Sequence, residues 1–449
     1  TGTFDIRKDT TDMTSIGSNS NMKLWIDTHY GLRVLIRQYE SICIKLNVSE
    51  FWLNESDFMT NSFSIKKIKE KGFRVAVVHP YEGAPAFDYA DQIIYADILD
   101  KQHCLQAAKE IGAVAIMSDE CDIATPTLAY VSGQLGLPSQ GEDMAQLYTD
   151  KSLMRDFCRD HNLPYPEYKV CETLDEAVAF FKSLNRKMII KPIDANSSRG
   201  VYTIESEAEL VAKFEESISF SHHRRAVICE RHIGGPEFSV DGIMTPYGHI
   251  CLAISEKQQF SYNKNLDSDL YFSYYSDKYD YDLLRKIDTT FVEASGLKFG
   301  FTHAEYKCED GVFYLLEIGA RGGGNRISSH IVPAMTGIDN YDMLIDMFTG
   351  KDIAPIPAQS HLATDKVAVL TFFDTTEVGG KVVAVEGLDF LSANPNILDY
   401  KLNFKVGDTI KRPTDGGNRI GYYVACCENK ENLDKLKEQV ASKFKIIYD

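Results

Sequence analysis

Two stretches around residue 310 hold residue types that could carry out phosphate chemistry. In the run LLEIGARGGGNR, Glu317 and Arg321 flank Gly319 and precede the glycines at 322–324. Residues two apart on a strand share a face, so the first three point the same way. The glycines let the backbone approach a bulky or charged group. Two interpretations remain open: a salt-bridged strand end with a flexible loop, or a binding site.

A second glutamate precedes this strand in a predicted hairpin, FTHAEYKCEDGVFYLLEI. A two-residue turn at 310–311 would put Glu305 and Glu317 on opposite faces. A three-residue loop over 309–311, with Gly311 as the left-handed residue of a bulge, puts them on one face and diagonal. We predict the three-residue loop. Two carboxylates on one face suit Mg²⁺, which binds carboxylates, water and phosphate oxygens. A general acid–base pair, as in glycosidases, is the alternative.

Composition limits the classes of partner. The chain has 449 residues, which suggests about three domains. Its net charge of −17 argues against a nucleic-acid or anionic-membrane partner, which would need a basic face. The ten cysteines contain no CxxC pair, which indicates a reducing cytoplasm and no zinc site. No apolar run approaches about 18 residues, so we expect no membrane span.

Predicted helices and strands alternate from about residue 62. The strands FRVAVVH, QIIYAD and AVAIMSD, with the helix KQHCLQAAKEIG, favour a parallel, doubly wound sheet. Further on, MIIKP and GVYTI are predicted strands around the loop IDANSSR. This loop offers backbone N–H groups to phosphate, and Lys191 beside it adds a positive charge. A lone lysine before proline is otherwise an ordinary surface residue. The last ninety residues are strand-rich and then helical over 429–444.

In order and spacing, these motifs resemble the ATP-grasp superfamily of carboxylate–amine ligases. The match runs through Lys151, IIKPIDANSSRGV, AVICERHIGGPEFSVDG and THAEYK…LLEIGARGGGNR, and it is most similar to the L-amino-acid (dipeptide) ligase branch. The resemblance implies an α/β protein of ATP-grasp fold, with an N-terminal doubly wound α/β domain and a strand-rich C-terminal domain. The expected divisions are a disordered leader at 1–21, the N-terminal domain at 22–145, the ATP-grasp domain at 146–355 with lobes at 146–230 and 231–355, and the C-terminal α+β domain at 356–449.

The resemblance also implies a role for each matched residue. The implied nucleotide-binding residues are Lys151, Lys191, Ser197, Ser198, Gly200, Glu230, Arg231, His232, Ile233 and Glu237. Among them, the lysines contact phosphates, the stretch 230–233 is the hinge that meets adenine, and Glu237 takes the ribose hydroxyls. The implied metal ligands are Glu305 and Glu317, and the implied substrate-side residues are Glu256, Arg321 and Asn325. Arg321 and Lys191 are the implied catalytic residues.

Three departures from the family pattern concern the site. Gly319 stands where a third metal ligand, asparagine, is common. Ser197 stands where the phosphate loop often has glycine. Residues 22–61 lack the usual glycine-rich first strand and turn, and their role is unassigned.

The implied reaction uses ATP and Mg²⁺, with Mn²⁺ as a substitute. A carboxylate, expected to be that of an amino acid, becomes an acyl phosphate and is joined to an amine, releasing ADP and phosphate. The expected setting is cytoplasmic, with small-molecule substrates and a homodimer as a candidate assembly. Three alternatives remain open: a carboxyphosphate-type enzyme acting on bicarbonate, a ligase for a larger amine, and a non-catalytic ATP-binding module.

Overall fold

The computed structural model describes residues 43–45, 60–194, 200–221, 224–414 and 416–449. The predicted leader at 1–21 lies outside these ranges, as does most of the unassigned segment 22–61. Ser197 and Ser198 of the predicted phosphate loop also lie outside them.

The first part of the described chain, predicted to be the N-terminal domain, is built on a four-stranded sheet in the order β3-β2-β1-β4. Its elements are β1 (Cys43–Lys45), α1 (Thr60–Glu70), β2 (Val75–Val78), β3 (Gln92–Ile94), α2 (Lys101–Glu110), β4 (Ala115–Met117), α3 (Thr125–Leu135) and α4 (Glu142–Leu147). Strands β2 and β3 pair in parallel, as the alternating pattern predicts. Strand β1 instead runs antiparallel to both β2 and β4, so the sheet is mixed rather than wholly parallel.

The next lobe is a small antiparallel sheet in the order β5-β8-β6-β7. Its elements are α5 (Lys151–Asp160), β5 (Tyr168–Cys171), α6 (Leu174–Leu184), β6 (Met188–Pro192), β7 (Tyr202–Ile204), α7 (Glu207–Ile218) and β8 (Val227–Arg231). Asp150 caps α5 by accepting the backbone N–H groups of Ser152 and Leu153, which satisfies donors that a helix start leaves unpaired. The cap makes Lys151 the first residue of the helix.

An eight-stranded antiparallel sheet follows, in the order β13-β12-β9-β10-β11-β14-β18-β16. Its elements as far as residue 348 are β9 (Glu237–Thr245), β10 (Gly248–Phe260), β11 (Asn263–Ser273), α8 (Tyr281–Ala294), β12 (Gly300–Glu309), β13 (Val312–Gly319), α9 (Val332–Thr336) and α10 (Asn340–Phe348). The remaining elements are β14 (Val367–Phe372), β15 (Gly380–Glu386), α11 (Leu388–Ala393), β16 (Ile397–Leu402), β17 (Thr409–Ile410), β18 (Gly421–Cys427), α12 (Lys430–Lys443) and β19 (Lys445–Tyr448). Because β14, β16 and β18 extend the large sheet, it continues across the predicted domain boundary at 355.

One face of the large sheet packs on α8. Because side chains alternate along β9 and β12, the polar side chains of these strands lie on the other face. Leu284 and Phe291 of α8, which are seven positions apart and so share a helix face, lie in one apolar cluster with Phe238, Tyr306 and Phe313 of the sheet. The opposite face therefore receives the alternate residues of these strands, and the predicted metal ligands lie there. None of the described helices combines the length and apolarity needed to cross a membrane.

Candidate active site

The β12–β13 hairpin sets two acidic side chains directly opposite each other. Glu305 pairs with Glu317 across the two strands. The turn has two residues, Asp310 and Gly311, with positive φ values of 53° and 79°, as a type I′ turn requires. The predicted three-residue loop is therefore wrong, and the two glutamates are opposite rather than diagonal.

One extra residue in β13 brings the glutamates back to a shared face. With a two-residue turn alone, Glu305 would pair with Leu316, and Glu317 would lie on the other face. The register shifts between Glu305 and Tyr306, so Leu316 forms a bulge. The Leu316 carbonyl accepts a hydrogen bond of 2.6 Å from Nη2 of Arg155, a buried side chain of α5. A buried guanidinium thus contacts the bulge, and the sequence-based predictions do not include it.

Each carboxylate of this pair contacts a lysine. Lys151 places its Nζ 2.9 Å from Oε2 of Glu317. Lys257 of β10 places its Nζ 2.5 Å from Oε1 of Glu305 and 2.7 Å from Oε1 of Glu237. Both lysine side chains are buried. Their charges offset neighbouring carboxylates that would otherwise repel one another.

The lysines keep both carboxyl groups ionised. Burial raises the pKa of Glu305, but the charge and hydrogen bond of Lys257, together with the neighbouring positive charges, bring that pKa down to about 2. Burial also raises the pKa of Glu317, and the charge and hydrogen bond of Lys151 lower it below its ordinary value. No group of three or more His, Cys, Asp or Glu side chains with the geometry of a metal site occurs among the described residues. Glu305 and Glu317 are therefore two ionised carboxylates that lie opposite each other on this face.

A buried ion triad lies next to the pair. Lys191 of β6 places its Nζ 2.7 Å from Oε2 of Glu230, and Arg155 donates from Nε to Oε1 of the same carboxylate. Burial raises the pKa of Glu230, and the charges of Arg155 and Lys191 bring it down to about 2. Burial lowers the pKa of Lys191, and Glu230 only partly restores it. Glu230 is thus an anion held between two buried cations.

Arg321 follows the end of β13 and contacts an aspartate of the first domain. Its Nε and Nη2 each lie 2.9 Å from Oδ2 of Asp122, and Nη1 donates to the Gly322 carbonyl at 2.8 Å. Gly319 makes room for this contact, because a Cβ there would lie 2.2 Å from Oδ1 of Asp122. The Asp122 carboxylate therefore occupies the space that a side chain at position 319 would fill. The sequence-based predictions do not include Asp122.

Two family models match the segments that build this face and the end of the chain. The model of an ATP-grasp domain matches residues 184–329, which hold Lys191 and Glu230 of the triad, the acidic pair and Arg321. This chain carries an ATP-grasp domain. The model "L-amino acid ligase C-terminal domain 2" matches residues 373–449. The two segments lie in the order that the motifs predict.

The chain is similar to a solved structure and to curated proteins over parts of its length. The crystal structure of an L-amino acid ligase from Bacillus licheniformis is 18% identical with a TM-score of 0.71, covering 86% of this chain and 95% of that one. The uncharacterized protein y4rH of Sinorhizobium fredii is 22% identical over 324 residues, 69% of this chain and 63% of that protein. A D-alanine–D-alanine ligase of Marinobacter nauticus is 29% identical over 116 residues, 25% of this chain and 35% of that protein. The chain spans less than two thirds of the length of either curated relative. The predicted ATP-grasp fold and the resemblance to L-amino acid ligases are confirmed.

The predicted adenine hinge of the ATP-grasp domain has two of its backbone donors in use. Arg231 N–H donates to the Glu167 carbonyl at 2.8 Å, and His232 N–H donates to the Lys187 carbonyl at 3.1 Å. Ile233 N–H, within the ranges that the structure describes, has no hydrogen-bond partner, and the Ile233 side chain is buried. The Ile233 N–H is therefore the hinge donor that a ligand could take.

Glu256 lies on the other face of the large sheet from the acidic pair. It pairs with Phe238 of β9 and with Tyr271 of β11, and Phe238 belongs to the apolar cluster under α8. Its neighbour Lys257 takes the face of Glu305. Strand alternation therefore separates Glu256 from the acidic pair, and this placement does not support its predicted contact with a substrate amino group.

The last predicted residues belong to the phosphate loop and the glycine loop. Gly200 ends the phosphate loop with a φ of 68°, and a Cβ there would lie 2.7 Å from Phe220. Glycine is therefore the residue that fits. Asn325, after the three glycines, is half-buried and has a φ of 53°. The roles of Ser197 and Ser198, outside the described residues, stay predictions.

Proposed function

We propose that this chain is an ATP-dependent ligase that activates a carboxylate as an acyl phosphate and joins it to an amine, releasing ADP and phosphate. The observation that carries the proposal is the cross-strand pair Glu305 and Glu317, with a lysine on each carboxylate and Arg321 at the strand end. The ATP-grasp match and the match to an L-amino acid ligase C-terminal domain support a ligase acting on amino acids.

The acidic pair fits a magnesium ion. Two ionised carboxylates lie opposite each other, and Mg²⁺ characteristically takes one or two carboxylates together with waters and phosphate oxygens. The absence of a side chain at Gly319 accords with a site of two protein ligands. We propose that Glu305 and Glu317 hold Mg²⁺, or Mn²⁺ in its place. When bound, the ion offsets charge on the phosphate oxygens of ATP.

The surrounding cations suit the phosphates of a nucleotide. Phosphoryl transfer needs positioning and charge neutralisation more than covalent help. Lys151 and Lys191 are buried cations beside the acidic pair. Because water is largely excluded there, their ammonium groups would interact strongly with the phosphate oxygens of a nucleotide. The Ile233 N–H is the proposed backbone donor for adenine. Glu237, held by Lys257, is the proposed acceptor for the ribose hydroxyls.

The glycine loop is the proposed place for the acyl group. A carboxylate is a poor acyl donor because its leaving group would be oxide, whereas an acyl phosphate loses phosphate. The glycines at 322–324 let the acyl phosphate approach the backbone, and Arg321 presents a planar guanidinium for its oxygens. The amine then attacks the acyl carbon, the C–N bond forms and phosphate leaves.

Product analysis tests the proposal against its rivals. The purified protein, incubated with ATP, Mg²⁺ and a panel of single and paired amino acids, should release ADP and phosphate only when a carboxylic substrate is present. AMP and pyrophosphate would indicate acyl-adenylate chemistry and contradict the proposal. Turnover that needs bicarbonate but no amine would establish the carboxyphosphate alternative. Nucleotide binding without turnover on any substrate would favour a binding module.

We predict that Arg321→Lys lowers kcat and kcat/KM together, by roughly 10²-fold, or about 2.7 kcal/mol. Lysine keeps the charge but loses the planar fork that holds two oxygens at once. The KM for ATP should change little, because Lys151, Lys191 and the hinge remain. Steady-state kinetics measures both quantities. A normal kcat with a raised KM for ATP would instead make Arg321 a ligand of the ground-state nucleotide, and no change in either would leave it a salt-bridged strand end.

A further inference from the structure

The carboxylate of Asp122 occupies the space at the end of β13 that a side chain at position 319 would need. A Cβ at position 319 would lie 2.2 Å from Oδ1 of Asp122, a separation that side-chain carbons do not reach. The next nearest atoms belong to Arg321, at 3.1 and 3.4 Å, and a small shift relieves those contacts. Gly319 does not adopt a left-handed φ, so alanine is compatible with its backbone. Any side chain at 319 is therefore opposed mainly by the Asp122 carboxylate.

The other oxygen of this carboxylate fixes the guanidinium of Arg321. Nε and Nη2 both lie 2.9 Å from Oδ2 of Asp122, and Nη1 donates to the Gly322 carbonyl. Charge-assisted contacts through all three guanidinium nitrogens set both the position and the plane of the group. The side chains are mostly buried, at 17% exposure for Arg321 and 20% for Asp122, so water screens the pair only in part.

Asp122 belongs to a segment that is itself joined to the glycine loop. The carbonyl of Asp119 accepts the backbone N–H of Gly322 at 2.7 Å. The side chain of Asp119 is buried and accepts the hydroxyls of Ser64 and Tyr341. These hydrogen bonds hold the segment after β4 in place beside the glycine loop. Asp122, three residues after Asp119, is therefore positioned to contact Arg321.

We propose that Asp122 is a positioning residue: from the N-terminal domain it holds the guanidinium of Arg321, in space that exists because residue 319 is glycine. The inference rests on the proposed function, in which Arg321 stabilises the transferred phosphoryl group. The inference explains why residue 319 is glycine: a side chain there would displace the Asp122 carboxylate that contacts Arg321. A misplacement of about 1 Å costs roughly 10²-fold in rate, so loss of this hold should be visible in kcat.

A double-mutant cycle of Asp122→Ala and Gly319→Ala tests the inference. Each single variant should lower kcat by about 10- to 100-fold and leave the KM for ATP unchanged, because the nucleotide ligands are untouched. The double variant should be no slower than Asp122→Ala alone, since both changes remove one interaction. Asp122→Asn should lose less, because its amide oxygen still accepts from Arg321. Asp374→Ala, which breaks an aspartate–arginine pair with Arg412, is the control that should keep normal kinetics.

Thermal unfolding gives a second cycle that does not depend on turnover. Gly319→Ala should lower the Tm in the presence of Asp122, and should not lower it in the Asp122→Ala background, where the contact is absent. Additive losses of kcat and of Tm would overturn the inference. A raised Mg²⁺ requirement with normal kcat in Asp122→Asn would also overturn it, by making Asp122 a metal ligand. If the wild-type chain turns over no substrate, the proposed function fails, and the Tm cycle still decides the competition between Asp122 and residue 319.

Discussion

Replacing Glu317 by glutamine is expected to lower turnover by about 10³-fold, equal to about 4 kcal/mol. The substitution keeps the size of the side chain and removes the anion proposed to hold Mg²⁺, and metal stabilisation of this kind amounts to several kcal/mol. It also removes the carboxylate that Lys151 contacts at 2.9 Å. Single-turnover ADP formation over a range of Mg²⁺ concentrations measures the effect, and raised Mg²⁺ should recover part of the rate.

Glu305→Gln should have the same effect from the other strand of the hairpin. There Lys257 keeps Glu237 as a partner, so the fold should hold and the Tm should change little. Glu438→Gln, at an exposed position of α12, is the matched control for the loss of one charge and should leave turnover normal. Near-normal rates in both hairpin variants would show that the two carboxylates are structural. That result would remove the observation on which the proposed function depends.

The hairpin shows how a correct conclusion can come from a wrong local structure. The sequence predicts that Glu305 and Glu317 share a face, and they do. The predicted three-residue loop is wrong because the turn has two residues. The bulge at Leu316, and not the turn, shifts the register so that the two glutamates share a face. The bulge carbonyl is bound by Arg155, 161 positions earlier in the chain. A pattern in the hairpin itself carries no information about a partner so far away.

Strand β10 shows a limit of periodicity. Alternation predicts that Glu256 and Lys257 point to opposite faces of the sheet, but it does not say which of them meets the acidic pair. The answer depends on which strands lie beside β10 and on the register of its pairing, which shifts against both β9 and β11. Those are tertiary features, so the sequence did not predict that Lys257 contacts the acidic pair, and the substrate contact of Glu256 stays a prediction.

The contact between Asp122 and Arg321 joins residues 199 positions apart. A weak signal for it exists, because the run SDECD follows the buried strand β4, and polar residues at the carboxyl ends of strands in α/β sheets often line ligand sites. Only the structure shows that Asp122 fills the space over Gly319. The motifs predicted which residues of the ATP-grasp segment form the site. They did not predict the contact that Asp122 makes with Arg321, which only the structure shows.

Glu230→Gln should destabilise the folded chain by about 3–5 kcal/mol, the usual cost of removing one partner from a buried ion pair. Glu230 accepts from Arg155 and Lys191, and all three side chains are buried. Glutamine leaves two cations without an anion in a poorly solvated place. Equilibrium urea unfolding at neutral pH measures the loss. Glu172→Gln, which breaks an exposed pair with Arg224 in the same lobe, is the control and should cost about 1 kcal/mol or less.

The effect of Glu230→Gln should also depend on pH in a defined direction. The folded pKa of Glu230 is about 2, below its ordinary value of 4.5. The unfolded chain therefore binds a proton at this carboxyl before the folded chain does as the pH falls. The stabilisation is present in full above pH 4.5 and is lost as the pH falls toward 2. The difference in unfolding free energy between wild type and Glu230→Gln should shrink over that range. A difference that stays constant from pH 6 to pH 3 would show that the charge of Glu230 does not stabilise the triad.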